Sequence, residues 1–305
     1  MPAPNNIEAF SRYITTTRSG ATARRYAIAV RMFLTWYEAI GVPFSAAPRN
    51  TLVNYATSML EAHYQTSTIR SHLAGVARYL RWVESKSEIP LTVFITPDLP
   101  SPKRRVKDIL PPDTLRGYFS GVADLDEPMR TAALLLPCSG LRCGEMVSLP
   151  LACMSRRAVK LEDGTTKDVL TLRVTGKGGH ERTVPLLDEG ATALVKYLKG
   201  WRRNHTNTKW LFPGQSGHIA TRTLRKAVQR VRRPSGLLYT PHSMRRTYLT
   251  TLFKQGVSPT VLTKIAGHGD VQVLINHYLQ LDSDDLAGAV HAAGGKLLKP
   301  KGTAT

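Results

Sequence analysis

A chain of 305 residues that is 42% hydrophobic can fill ordinary buried cores, and two domains of a soluble, folded protein are the expectation. No apolar run approaches the length of a spanning helix and the N-terminus lacks a signal-peptide pattern, so a membrane protein is excluded at this level. Forty-two Lys and Arg against 22 Asp and Glu leave a formal net charge of +20, which makes nucleic acid the leading partner; a merely basic, ribosome-like protein is the plain alternative.

The first 85 or so residues read as a small helical bundle, because apolar positions recur at helical spacing and the breaks fall at Gly and Pro. Helices are expected over 21–40, 50–62 and 66–84, with Gly41 and Pro43 ending the first. In the last of them Ile69, Leu73, Val76 and Leu80 form an apolar stripe, while Arg70, Arg78 and Arg81 project from other faces. Those arginines either contact phosphate or form a solvated surface.

From Pro90 to Pro112 the composition shifts to repeated proline around the basic run Lys103, Arg104, Arg105 and Lys107. This is the signature of an extended linker, able to follow a phosphate backbone or simply to space two domains. Helices are expected next over 113–119 and 127–136. The three cysteines, Cys138, Cys143 and Cys153, lack the paired spacing of a zinc site and read as core thiols of a reducing cytoplasm.

Strand character runs over 158–187, broken at Asp163 and Gly164 and again at Gly176, Lys177, Gly178 and Gly179. The result is a three-stranded antiparallel sheet. Helices return from about Glu189, with Gly256 and Gly267 as stops and Pro259 in a first turn. Over 223–233 an apolar stripe of Leu224, Ala227, Val228 and Val231 opposes Arg222, Arg225, Lys226, Arg230 and Arg233, which suits either a major groove or a charged solvent face. His242 and Arg245 open a later helix three residues apart, on one face, where both reach one anion.

The joint order is more specific than any member. Gly140-Leu141-Arg142 with Glu145, a Gly-Lys-Gly turn at Lys177, His242 with Arg245, Gly267-His268 and finally Tyr278 resemble, in order and content, the tyrosine recombinase, or phage integrase, family. The resemblance covers nearly the whole chain. It implies a mostly α fold with a small antiparallel β-sheet: a helical core-binding domain over 1–88, the proline-rich basic linker over 89–110, a mixed α+β catalytic domain over 111–290 and a tail over 291–305. The tail's Lys296, Lys299 and Lys301, after a helix over 286–292, resemble the family's segment that docks into a neighbouring protomer.

By the same resemblance, Arg142 and Arg245 grip a scissile phosphate, His242 and His268 complete the pocket, and Glu145 supports the first arginine. Tyr278 attacks phosphorus to give a 3′-phosphotyrosine, and Lys177 protonates the departing 5′-oxygen. The physics agrees, since guanidinium forks match the charge that develops on the non-bridging oxygens and imidazoles exchange protons near neutral pH. The interval from His268 to Tyr278 departs from the commonest family spacing by one additional residue, absorbed near Gly269 and Asp270 ahead of a helix over 271–281. Candidate DNA contacts are Arg70, Arg78, Arg81, Lys103, Arg104, Arg105, Arg222, Arg225 and Lys226.

The resemblance further implies double-stranded DNA target sites, a synaptic tetramer of identical chains, no metal or other cofactor, and a cytoplasmic protein associated with the nucleoid when bound to DNA. Two rivals stand beside it. A type IB topoisomerase shares the tyrosine chemistry but would relax a supercoiled plasmid that lacks any target site. A catalytically silent DNA-binding regulator would need the basic faces alone.

Overall fold

The computed structural model describes residues 6–43, 47–86, 95–99, 109–160, 163–176, 178–205, 207–215, 217–231, 239–267, 270–272 and 274. The chain divides into two compact units, Met1–Arg105 and Val106–Thr305, and among the described residues no helix is long and apolar enough to cross a membrane.

The first unit is a helical bundle of α1 (Ile7–Thr17), α2 (Gly20–Glu38), α3 (Thr51–Glu61) and α4 (Thr66–Glu84). Helix starts are set by short polar side chains: Asn6 accepts from the Ala9 amide at 3.0 Å and Ser19 from the Thr22 amide at 3.3 Å. The α4 stripe, Ile69, Leu73, Val76 and Leu80, is buried together with Tyr79 against Phe10, Phe33 and Tyr55. Gly75 lets α4 approach α2, because a Cβ there would lie 3.2 Å from both Ala29 and Tyr26. Residues 95–99 return to this core, tied by the Ile95 amide to the Arg49 carbonyl at 2.9 Å and by the burial of Leu99.

The second unit runs α5 (Pro112–Val122), α6 (Met129–Ser139), α7 (Cys143–Val147), β1 (Met154–Lys160), β2 (Thr166–Thr175), β3 (Glu181–Pro185) and α8 (Asp188–Lys199). It continues through a short hairpin of β4 (Pro213–Gly214) and β5 (Gly217–His218) to α9 (Thr221–Arg230), α10 (Pro241–Lys254) and α11 (Pro259–Ala266). Helix α6 lies at the centre, with Ala132, Ala133, Leu135 and Leu136 all at 0% exposure and α5, α8, α9 and α10 packed around it. Each such leucine contributes about 1.5–3 kcal/mol by leaving water. The antiparallel sheet has the order β1-β2-β3 and puts Leu172 opposite both Met154 and Val184, so its buried face meets the same core.

The fold is thus mostly α with a small antiparallel sheet, and most elements lie where the sequence puts them. Three differ. Helix α1 has no counterpart among the expected helices, since its eleven residues are mainly polar and bury only Phe10 and Ile14 fully. Strand β1 begins at Met154 rather than 158; it is an edge strand exposed along nearly its whole length, so no alternation marks its start. Helix α6 continues through Pro137 to Ser139 and stops at Gly140, which holds a left-handed φ of 61°.

Candidate active site

The site grows from the turn between α6 and α7. Gly140 reverses the chain, Leu141 plugs the core, and Arg142 becomes the residue that caps α7. Glu145, in the first turn of that helix, accepts from the Arg142 amide at 2.9 Å and from Arg142 Nη1 at 2.8 Å. A carboxylate there also meets the positive end of the helix. Arg142 keeps 41% of its side chain exposed, whereas Glu145 keeps 8%.

Helix α10 is started by a reciprocal cap, with Thr240 Oγ1 accepting from the Ser243 amide at 3.0 Å and Ser243 Oγ from the Thr240 amide at 3.1 Å, and Pro241 in the first turn. His242 is exposed at that start. Arg245, one turn on, is 1% exposed and crosses to two other segments: Nη1 donates to the Gly140 carbonyl at 2.6 Å and Nη2 to the Ala266 carbonyl at 2.5 Å. Arg142 Nη1 reaches that same Ala266 carbonyl at 3.4 Å. Two arginines 103 positions apart in the chain (245 − 142) therefore meet on one oxygen.

That oxygen belongs to the last turn of α11, which Ser258 and Pro259 start and Gly267 ends at φ 63°. Helix C-termini leave carbonyls without helical partners and carry negative partial charge, so cations are favoured there. A third arginine uses the same end. Arg182, on β3, donates Nε to the Ile265 carbonyl at 2.8 Å and forks onto Glu145, Nη1 to Oε1 at 3.1 Å and Nη2 to Oε2 at 2.8 Å. Burial works to raise the Glu145 carboxyl, but the bonds from Arg182 and Arg142 outweigh it and hold it below the usual carboxylate range. Arg182 is a site residue that sequence reasoning missed. Its one visible mark is the β-strand that follows the glycine-rich turn, and its partners lie 37 and 83 positions away.

The structure thus brings Arg142, Glu145 and Arg245 together and leaves His242 exposed one helical turn from Arg245. Lys177, His268 and Tyr278 lie outside the described residues, as do Lys103, Arg104 and Arg105, Arg233, and the segments expected over 286–292 and 291–305. Gly176, Gly178 and Gly267, the described neighbours of Lys177 and His268, are in place: the Gly176 amide donates to the His180 carbonyl at 2.7 Å, and Gly178 holds φ 83°. Arg222, Arg225 and Lys226 are exposed on α9, whose start packs beside α7 through the Cys143 thiol and the Thr221 carbonyl at 3.5 Å. In the first unit Arg81 is exposed, Arg70 donates to the Leu99 carbonyl, and Arg78 bonds the Tyr13 hydroxyl at 3.2 Å and lies over its ring. Cys138, Cys143 and Cys153 are buried free thiols, and burial pushes Cys143 and Cys153 up to about 11.

Residues 119–284 match the model of the phage integrase family. Among curated relatives, the chain is 24% identical over 293 residues to the tyrosine recombinase XerD of Bradyrhizobium diazoefficiens, covering 88% of this chain and 84% of that one. It is 25% identical over 285 residues to XerD of Pseudomonas aeruginosa, with 90% and 92% covered. Among solved structures, the XerH site-specific recombinase bound to its palindromic difH substrate, a post-cleavage complex, superposes with a TM-score of 0.69 at 15% identity, covering 95% of this chain and 85% of that one. A lambda integrase dimer bound to a COC′ core site superposes with a TM-score of 0.64 at 14% identity, covering 91% and 78%. These likenesses show the fold.

Proposed function

The chain belongs to the phage integrase family, and from that premise we propose how its residues cut and rejoin DNA as those of a site-specific tyrosine recombinase. In this reading the Tyr278 phenolic oxygen forms a bond to the scissile phosphorus while the bond from phosphorus to the 5′-oxygen breaks. One of the imidazoles of His242 and His268 takes up the phenol proton, and Lys177 supplies one to the departing 5′-oxygen. Rejoining runs the same exchange backwards from the 5′-hydroxyl of the recipient strand. The energy of the broken bond is kept in the 3′-phosphotyrosine.

The observation that carries this reading is the meeting of Arg142 and Arg245 on the Ala266 carbonyl, two residues before His268. Two guanidinium groups held in place by main-chain oxygens are set before a phosphate arrives and lose little entropy when it does. Arg142, the more exposed, would engage the phosphate first. In the helix expected over 271–281 Tyr278 falls one turn after Leu274, whose side chain is buried with Tyr248, Leu249, Leu262 and Ala266. The helical first unit and the exposed face of α9 would hold the flanking duplex, and four protomers would pair two sites in a synapse.

The test is to isolate protein covalently joined to DNA from cells and sequence what is attached. One recurrent site is expected. Tyr278→Phe should bind that site as well as the parent protein yet form no covalent adduct; an adduct on this variant would assign the nucleophile elsewhere.

A further inference from the structure

One guanidinium touches the immediate neighbours of three groups assigned to the chemistry above. Arg182 grips Glu145 with both terminal nitrogens at 2.8 and 3.1 Å, and Glu145 in turn holds Arg142. Its Nε reaches the Ile265 carbonyl at 2.8 Å, and a Cβ on Gly267 would lie 3.0 Å from its Nη1. A Cβ on Gly176 would lie 3.4 Å from the same nitrogen and 3.9 Å from Glu145 Oε1. Gly267 immediately precedes His268, and Gly176 immediately precedes Lys177.

Resting on the recombinase reading, we propose that Arg182 is a positioning residue: through the Gly176 backbone, Glu145 and the end of α11 it sets where Lys177 delivers a proton relative to the arginine pair. The physical case is one of rigidity. Lys177 has glycine at 176, 178 and 179 as its sequence neighbours, and Gly178 and Gly179 hold φ angles of 83° and 82°, a backbone that by itself confines a side chain poorly. Arg182 is 10% exposed at its side chain, and its planar fork satisfies a buried carboxylate and a helix-end carbonyl at once. The base of the turn is therefore fixed by a group whose own rotamer is locked at three points. An ammonium could replace the charge but not the three directions.

The test uses the leaving group. In a nicked duplex of the site recovered by covalent trapping, the bridging 5′-oxygen of the scissile phosphate is replaced by sulfur, which departs as a thiolate without needing a proton. General-acid assistance is worth about 100-fold or more, so Arg182→Gln should cleave the oxygen duplex slower by at least about that factor and the sulfur duplex at close to the parent rate. Arg182→Lys keeps a charge beside Glu145, guards against a folding defect, and should show the same preference for sulfur with a smaller loss on oxygen. Equal slowing of both duplexes, or no slowing of either, in both variants would overturn the proposal. Lys177→Ala is the control for the reading beneath it: sulfur rescue of Lys177→Ala without rescue of the Arg182 variants sinks the positioning role alone. Failure to rescue Lys177→Ala removes Lys177 as the acid, and the proposal with it.

Discussion

Gly140 answers to two demands at once. Its φ of 61° lies in the left-handed region, and a Cβ there would stand 2.4 Å from a carbon of the Tyr248 ring. Its carbonyl also receives Arg245 Nη1 at 2.6 Å. Gly140→Ala is expected to destabilise the protein by about 2–4 kcal/mol, the sum of left-handed strain and a crowded ring, and to lower strand cleavage because Arg245 loses its anchor. Thermal unfolding and a cleavage assay on the trapped site check both parts. Glu145 gives a prediction of pH dependence. Its folded-state pKa lies below that of the unfolded chain, so its stabilisation is fully present above the unfolded value, about 4.3, and is lost as pH falls through the folded one. Glu145→Gln should lower the melting temperature at neutral pH, with the gap to the parent closing below about pH 4; a gap that stays constant there would place the carboxylate's role elsewhere. At this scale the sequence is legible where chemistry clusters, as at Arg142 with Glu145. It is silent on Arg182, whose partners are a main-chain oxygen and a distant carboxylate that no local pattern announces.

Elements read well when their two faces differ in composition. Helix α4 has the limits that its apolar stripe and flanking residues predict, Thr66–Glu84, and α9 buries Leu224, Ala227 and Val228 while exposing its basic residues. They read poorly when tertiary contact, and not composition, defines them: β1 exists because β2 pairs with it from Met154 to Lys160, and β4 with β5 is a pairing of two residues on each side. The basic face of α9 carries its own prediction. Replacing Arg222, Arg225 and Lys226 together by Gln should weaken binding to the trapped site and flatten the slope of log affinity against log salt by about 3, roughly one for each phosphate that is no longer neutralised. Fluorescence anisotropy titrations over a salt series measure it, and an unaltered slope would take α9 off the DNA.

At the scale of the whole molecule, the described residues form apolar clusters that lie within one unit or the other, Phe10 to Leu99 in the first and Leu110 to Met244 with Tyr248 to Leu274 in the second. Charge is partitioned along the chain as well. Between Glu189 and Asp270 there is no Asp or Glu, so every formal charge on α9, α10 and α11 is positive, which draws a polyanion toward these helices. Amphipathic period made the fold class readable from sequence, and the order of a few polar residues carried the expectation of the site; what stayed hidden was how distant segments are tied. Several of those ties end on the carbonyls of Ile265 and Ala266. Main-chain oxygen has no codon of its own, so a side-chain replacement at 265 or 266 that leaves the helix intact cannot delete the anchor. Mutation is then free to alter the side chains at 265 and 266 while this part of the grip on the arginines is inherited unchanged.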